Sequence, residues 1–278
     1  MSIQGPSSLK RRKEHRLVYE VIRESELTVQ VLDARFPLRC RSLMIDEIVK
    51  SLEKPMIYCI SKTDLIPQDL TLKWKKILSK HFPTVHISAK DRNGTTILRK
   101  KIFQNSPFHA SPERPVTISI VGYPNVGKSS LINVLAGRHS APVSPNAGYT
   151  RSIRKVKITP KLFLIDTPGV SPTDILTVNE KVYLGAISPE DIIDPDLVVE
   201  YLFKQAIAFH QQESWEIYLK TPLNNKFEDI LEKFARSRGF ISKGNQSSIL
   251  EASRVIIRDF IKGKINYYEN PDYLLRPY

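Results

Sequence analysis

One short segment near the middle of the chain, GYPNVGKS, constrains the fold more than any other. It lies between the β-branched run VTISIV and the helical run SLINVLAG, so a strand should enter the loop and a helix should leave it. Gly122 and Gly127 allow a tight turn whose amides face phosphate oxygens, and Lys128 supplies a cation for the β and γ phosphates. Ser129 offers a hydroxyl oxygen to Mg²⁺. A chance match occurs in about 1% of chains of this size, so the segment predicts a nucleotide site.

The strand and helix pattern of the whole chain extends this prediction to a fold. Strand-like runs (TVQVLDA, PMIYCIS, TVHIS, VTISIV, KVKITP and KLFLID) alternate with amphipathic helical runs, and Pro37 is expected in a turn. Such alternation implies crossover connections and a doubly wound sheet. We therefore predict an α/β P-loop domain with a six-strand, mainly parallel sheet and a basic N-terminal arm over residues 1–175. The helical runs that follow predict an all-α domain over residues 176–278.

Composition limits the partners of the chain. Its 42 basic and 29 acidic side chains give a formal charge of +13, which attracts nucleic acid or an acidic membrane surface. No apolar run approaches the length of a membrane span, and no secretory signal follows the N-terminus. Cys40 and Cys59 give neither a disulfide framework nor a metal-ligand spacing. We expect a reduced, cytoplasmic protein whose polyanionic partner is nucleic acid and not a membrane.

Two segments after the P-loop have the residue types of a γ-phosphate and Mg²⁺ site. DTPG, from Asp166 to Gly169, ends the last strand-like run, where a carboxylate can hold Mg²⁺ through water and a glycine amide can meet the γ phosphate. The polar loop SPNAGYTRS contains Thr150, whose hydroxyl could complete the Mg²⁺ shell. Ser144 and Ser152 are rivals for that position.

Two motifs before the P-loop have the residue types of a guanine-reading site. SKTD follows the second strand, and its Asp64 can accept two hydrogen bonds from guanine N–H groups that adenine cannot offer, while the stem of Lys62 can lie over the base. SAK follows the third strand, and the amide of Ala89 can meet the guanine oxygen. Base recognition therefore precedes phosphate recognition along the chain, which a site assembled in space permits.

This motif order resembles the circularly permuted GTPases, and within them the ribosome-assembly group called the YlqF/YawG family. DARFPLRCR, from Asp33 to Arg41, is similar to the DARxP signature of that family, and Arg236 to Ile265 resembles the end of its helical domain. The resemblance covers nearly the whole chain. It implies GTP hydrolysis to GDP, Mg²⁺, contact with rRNA and with a ribosomal subunit (the large one is expected), and a monomer.

Three departures from the family pattern bear on function. Ser61 occupies the place of the usual asparagine and is expected to miss its contacts to the base and the P-loop, so Ser61→Asn should tighten GDP binding. The N-terminus lacks the Pro-Gly-His-Met box of the bacterial branch, and His15 is predicted to be solvated, which favours another branch. Val170 stands where many GTPases have a water-orienting glutamine. Asn125 resembles an asparagine that holds K⁺ beside the phosphates, and a loop-stabilising amide is the alternative.

The expected site can be stated as three sets. The predicted nucleotide-binding residues are Ser61, Lys62, Thr63, Asp64, Ser88, Ala89, Lys90, Gly122, Tyr123, Pro124, Asn125, Val126, Gly127, Lys128, Ser129, Ser130, Asp166, Thr167, Pro168 and Gly169. The predicted metal ligands are Ser129, Thr150 and Asp166, and the predicted catalytic residues are Lys128, Thr150 and Asn125. A run of basic residues (Lys10, Arg11, Arg12 and Lys13) and a basic C-terminal set (Arg254, Arg258, Lys262 and Lys264) are the candidates for rRNA contact.

Two other functions remain open from the sequence. A nucleotide-sensing RNA-binding module with negligible hydrolysis would fit Val170 and Ser61. A small-molecule kinase would use the same P-loop but would leave SKTD and SAK unexplained.

Overall fold

The chain divides into two compact units, Met1–Ile175 and Leu176–Tyr278. The computed structural model describes residues 7–106, 115–136, 154–166, 176–242 and 246–274. Within those ranges, no helix has both the length and the apolar character needed to cross a membrane.

The first unit is built on a six-stranded sheet. Its strands are β1 Leu27–Asp33, β2 Met56–Ser61, β3 Thr84–His86, β4 Val116–Val121, β5 Arg154–Thr159 and β6 Leu162–Asp166. In space they follow the order β3-β2-β1-β4-β6-β5. Neighbouring strands are parallel except for β5, which runs antiparallel to β6. The predicted six-strand, mainly parallel sheet is confirmed.

Helices precede and connect these strands. They are α1 Ser7–Glu24, α2 Pro37–Cys40, α3 Leu43–Ser51, α4 Gln68–Leu78, α5 Thr95–Asn105 and α6 Lys128–Ala136. Every residue of β1 and β2 is buried, as expected for parallel strands covered on both faces by crossover helices. The expected turn at Pro37 is the short helix α2, because proline fits the first helical position, where no amide donor is needed.

The parallel strands end together at one edge of the sheet, called the carboxyl edge below. Strand β1 lies between β2 and β4, and the register places Asp33 opposite Ser61 at this edge. Strands β4 and β6 are in register from Val116 to Ser119 on β4, so β6 also ends there. Ligands of open α/β sheets bind outside this edge. The segments that follow β1, β2, β3, β4 and β6 are therefore the ones placed to form a site.

The second unit is mainly helical. Its helices are α7 Val178–Tyr183, α8 Pro195–Ala208, α9 Gln212–Leu219, α10 Phe227–Ser237, α11 Ile249–Ile261 and α12 Pro271–Leu274. Its core is aromatic: Trp215 stacks on Phe260 with ring centroids 5.8 Å apart, and Tyr183 meets Phe260 edge-on at 5.5 Å. Two short strands, β7 Ile241–Ser242 and β8 Gln246–Ser247, form an antiparallel pair that the helical sequence pattern did not predict.

Candidate nucleotide-binding site

The P-loop lies at the carboxyl edge between β4 and α6, as its flanks predict. Gly122 has φ 144°, and a Cβ there would lie 2.6 Å from the carbonyl oxygen of Val31. Gly127 has φ 102°, and Asn125 between them is left-handed at φ 57°. Both glycines are therefore required by the backbone itself, since residues with side chains rarely adopt these angles.

Lys128 folds back over this loop. Its Nζ donates to the carbonyl oxygens of Gly122 at 2.8 Å and Tyr123 at 2.5 Å. Burial lowers the pKa of Lys128 to about 8. Ser129 and Ser130, the next residues of α6, are exposed. The loop thus holds a half-buried ammonium group next to hydroxyls at the start of a helix.

Ser61 joins the end of β2 to the P-loop. Its Oγ is buried and donates to the carbonyl oxygen of Val126, and it also lies 3.2 Å from the carbonyl oxygen of Leu32. A Cβ at Gly127 would come within 3.3 Å of this hydroxyl, so the missing side chain of Gly127 lets the strand end approach the loop. Serine therefore does contact the P-loop, through its own hydroxyl, although it was expected to miss the contacts of the usual asparagine.

The two predicted guanine-reading motifs contact each other. Ser88 Oγ donates to Asp64 Oδ1 at 2.9 Å, and the amide of Thr63 donates to the carbonyl oxygen of Ile87 at 3.2 Å. Asp64 lies in a 3₁₀ turn, Thr63–Leu65, and its side chain is exposed. The structure therefore brings SKTD and SAK together, with Ala89 and Lys90 directly after the bonded serine.

One group of residues at this edge was missed as a site by sequence reasoning. Asp33, buried at the end of β1, accepts a hydrogen bond from Lys62 Nζ at 2.7 Å and from Arg35 Nη2 at 2.9 Å. Burial alone would raise the pKa of Asp33, but the charges and hydrogen bonds of Arg35 and Lys62 outweigh it and lower the pKa to about 2. The DAR segment, Asp33 to Arg35, is the sequence signal for this cluster, but it was interpreted only as part of the family resemblance.

The predicted Mg²⁺ ligands and the DTPG segment lie only partly within the described residues. Asp166 ends β6 at the carboxyl edge, and its backbone pairs with Arg154 of β5. Thr150, Thr167, Pro168 and Gly169 lie outside the described residues, as do Ser144, Ser152 and Val170. Of the three predicted metal ligands, Asp166 is the last residue of β6 and Ser129 lies after the loop that follows β4, and both strands end at the same edge.

The basic C-terminal residues are largely paired with acids. Arg254 Nη1 lies 3.0 Å from Glu251, Lys264 Nζ lies 2.7 Å from Asp259, and Arg258 pairs with Glu190. Lys262 caps the end of α11 and is exposed. The side chains of Lys10 to Lys13 lie outside the described residues. Ion pairs therefore offset the charges of three of these four basic residues.

The chain is similar to known GTP-binding proteins. A family model described as a 50S ribosome-binding GTPase matches residues 117–228. An uncharacterized GTP-binding protein of Methanocaldococcus jannaschii is 34% identical over 91% of this chain and 66% of its own length. Nucleolar GTP-binding protein 2 of Pneumocystis carinii is 32% identical over 91% of this chain and 53% of its own length.

Solved structures agree on the fold. The GNP-bound crystal structure of YlqF from T. maritima has a TM-score of 0.66 at 24% identity, and it covers 94% of this chain and 99% of that one. The GDP-bound structure of the same protein gives a TM-score of 0.63. The chain spans between one half and two thirds of the length of the curated relatives above. Because the motif order, the strand order and these relatives agree, the chain belongs to the GTP-binding proteins that have the circularly permuted GTPase fold.

Proposed function

We propose that the chain binds GTP with Mg²⁺, hydrolyses it to GDP, and uses this cycle to control its action in ribosome assembly, on the large subunit. The observation that carries the nucleotide part is the joining of three separate motifs at the carboxyl edge. Ser88 binds Asp64, and Ser61 binds the carbonyl oxygen of Val126 in the P-loop. These bonds connect the Asp64 carboxylate, which would bind the base, to the P-loop, which would bind the phosphates.

Asp64 selects guanine in this proposal. Its carboxylate accepts from the ring and exocyclic N–H groups of guanine, and the Ser88 hydroxyl fixes its orientation through Oδ1. Adenine offers no matching pair of donors, so an ADP complex would leave the carboxylate without a hydrogen bond from the base. Sites built on such hydrogen bonds reject analogues that lack them by large factors. The amide of Ala89 would meet the guanine oxygen.

Lys128 serves the phosphates. Its ammonium group lies on the carbonyl oxygens of Gly122 and Tyr123, which are neutral acceptors that a phosphate oxygen would replace. Ser129, Thr150 and Asp166 would hold Mg²⁺, and Gly169 would contact the γ phosphate. Asn125 would hold K⁺ beside the phosphates, where a cation offsets the charge that develops in the transition state.

The nucleotide part is tested by the affinities for GDP, ADP and XDP, measured by calorimetry in the wild type and in Asp64→Asn. The wild type should prefer GDP to ADP by at least about 100-fold. Asp64→Asn should move the preference toward XDP, because xanthine presents an acceptor where guanine presents a donor. Lys128→Ala should bind GTP weakly and hydrolyse none. Equal affinities of the wild type for GDP and ADP would refute the assignment.

The ribosomal part rests on the matched family description, on the name of the nucleolar relatives and on the charge of +13. The proposed mechanism is that the γ phosphate orders the Thr150 and Asp166 segments, and that the second of these repositions the helical unit on rRNA. Binding to large subunits should then require GTP and should weaken with salt, because each neutralised phosphate releases counterions.

The ion pairs of α11 allow a sharper test of the RNA face than removal of its basic residues. Glu190→Gln should free Arg258, and Glu251→Gln should free Arg254. If these arginines contact rRNA, each change should strengthen co-sedimentation with large subunits in a non-hydrolysable GTP analogue. Unchanged binding in both variants would exclude α11 as the docking face. Binding by the wild type that is equal in GTP and GDP would exclude nucleotide control.

A further inference from the structure

The DAR segment begins at the end of β1, an inner strand of the sheet, at the carboxyl edge. Strand β1 lies between β2, which leads into SKTD, and β4, which leads into the P-loop. Asp33 is the last residue of β1 and is only 4% exposed. Its carboxylate is therefore buried between the two loops that the proposed function assigns to the base and to the phosphates.

One carboxylate serves two cations at this position. Asp33 Oδ1 accepts from the backbone N and the Nε of Arg35, at 3.0 and 3.1 Å. Asp33 Oδ2 accepts from Arg35 Nη2 at 2.9 Å and from Lys62 Nζ at 2.7 Å. Lys62 belongs to the base-reading loop and is 29 positions away in the sequence. The contact ties that loop to the strand beside it.

The two cations differ in their freedom to move. The side chain of Arg35 is 3% exposed, whereas that of Lys62 is 25% exposed. Without the charge of Asp33, two like charges would share a buried site, which is unfavourable. The guanidinium is enclosed, so the lysine would be the group that leaves. Loss of Asp33 should therefore release Lys62 into solvent.

We propose that Asp33 is a positioning residue for the guanine base: it holds Lys62 so that the lysine stem lies along the base before nucleotide binds. The inference rests on the proposed function. Because the ion pair with Asp33 already orders the Lys62 side chain in the free protein, nucleotide binding does not have to pay the entropy cost of ordering it. A purely structural ion pair would instead affect stability alone, and the folded protein would keep its GDP affinity.

Asp46, another buried acid of the first unit, provides a matched control for the Asp33 variants. Asp46 is 3% exposed and accepts from Arg41 Nε at 2.7 Å and from Tyr58 OH at 2.7 Å. Tyr58 lies in the middle of β2, away from the loop that follows it. Asp46→Asn therefore breaks a comparable acid–guanidinium pair in the same unit without touching the base-reading loop.

The test is a double-mutant cycle on GDP and GTP dissociation constants, with Asp33→Asn, Lys62→Met, both together, and Asp46→Asn. Asp33→Asn should weaken GDP and GTP equally, by about threefold to tenfold, because the effect acts through the base. In the Lys62→Met background, Asp33→Asn should have no further effect. Asp46→Asn should keep the wild-type affinity. If Asp33→Asn does not fold, Asp33→Glu keeps the charge but displaces the carboxylate, and the same cycle applies.

The outcomes separate this inference from the function on which it rests. A wild type that prefers GDP to ADP, together with unchanged affinity in the Asp33 variants or losses that add to those of Lys62→Met, would overturn the positioning role alone. A wild type without guanine preference would overturn the proposed function and this role with it.

Discussion

Ser61 gives the sharpest prediction about how the base and phosphate loops cooperate. Its buried hydroxyl donates to the carbonyl oxygen of Val126 and so joins two loops that are distant in the sequence. Ser61→Ala removes that bond, which should cost about 1 kcal/mol of unfolding free energy. In the proposed function the nucleotide contacts both loops. Without this bond the loops can separate in the free protein and must be brought together on binding, so a similar loss should appear in the affinity. GDP affinity should fall about fivefold, the ratio that corresponds to 1 kcal/mol.

The structure leads to a different expectation for Ser61→Asn. Sequence alone predicts tighter GDP binding from the usual asparagine. The serine side chain is 3% exposed, however, and its Oγ already lies against the carbonyl oxygens of Val126 and Leu32. Asparagine adds two heavy atoms in this space, and overpacking of this kind costs about 1–3 kcal/mol. Ser61→Asn should therefore destabilise the first unit and should not tighten GDP binding.

The measurements are urea unfolding and calorimetric GDP binding on the same preparations. Ser119→Ala is the control, because Ser119 Oγ is buried within β4 and bonds Thr28 Oγ1 at 3.0 Å and Ser25 Oγ at 3.1 Å. It should lose stability and keep its GDP affinity. If Ser61→Ala loses stability to the same degree and still binds GDP like the wild type, the cooperation between the loops is refuted.

Three further predictions concern the P-loop. Burial lowers the pKa of Lys128 to about 8, and bound phosphates favour its charged form, so GDP binding should take up a proton above that pH. The log Kd for GDP should then rise with pH from 8 to 9 and stay level below pH 8. Lys128→Arg, which remains charged, should remove the slope. A wild-type slope equal to that of the arginine variant would contradict this. Gly122→Ala places a Cβ 2.6 Å from the carbonyl oxygen of Val31, so it should lower the free energy of unfolding in urea by about 3 kcal/mol or more. Gly239→Ala, at φ 71° in open space, should lower it by about 1 kcal/mol. Equal losses would show that the clash is relieved. If Asn125 holds K⁺, GTP hydrolysis should be faster in K⁺ than in Na⁺ at equal ionic strength, and equal rates would return it to a loop-stabilising role.

The fold could be predicted from the sequence because its signals are local. The runs VTISIV and PMIYCIS are β-branched and apolar, and each leads into a motif that requires a strand before it. The order of those motifs then implied the permuted arrangement, and the strand order confirms it. The short pair β7 and β8 was missed because two-residue strands carry no periodic pattern.

The contacts within the site could not be predicted, because they join residues far apart in the chain. Lys62 meets Asp33 across 29 positions, and Ser61 meets Val126 across 65. Both contacts depend on β1 lying between β2 and β4, and on how closely the backbone of Gly127 approaches β2. Likewise, the basic pattern of α11 could not reveal that Arg258 is paired with Glu190, which is 68 positions away.

The position of β1 has a consequence for synthesis on the ribosome. β1 is a fully buried strand with neighbours on both sides, but one of those neighbours, β4, begins only at Val116. The chain grows by about 5–20 residues per second, so β1 waits roughly 5–20 s for that partner. During this interval β1, β2 and β3 can pair, while the other side of β1 presents unpaired backbone groups, which favour association between chains. In this motif order, β1 therefore has an unpaired edge early in synthesis, when the segments with SKTD and SAK have been made and the P-loop has not.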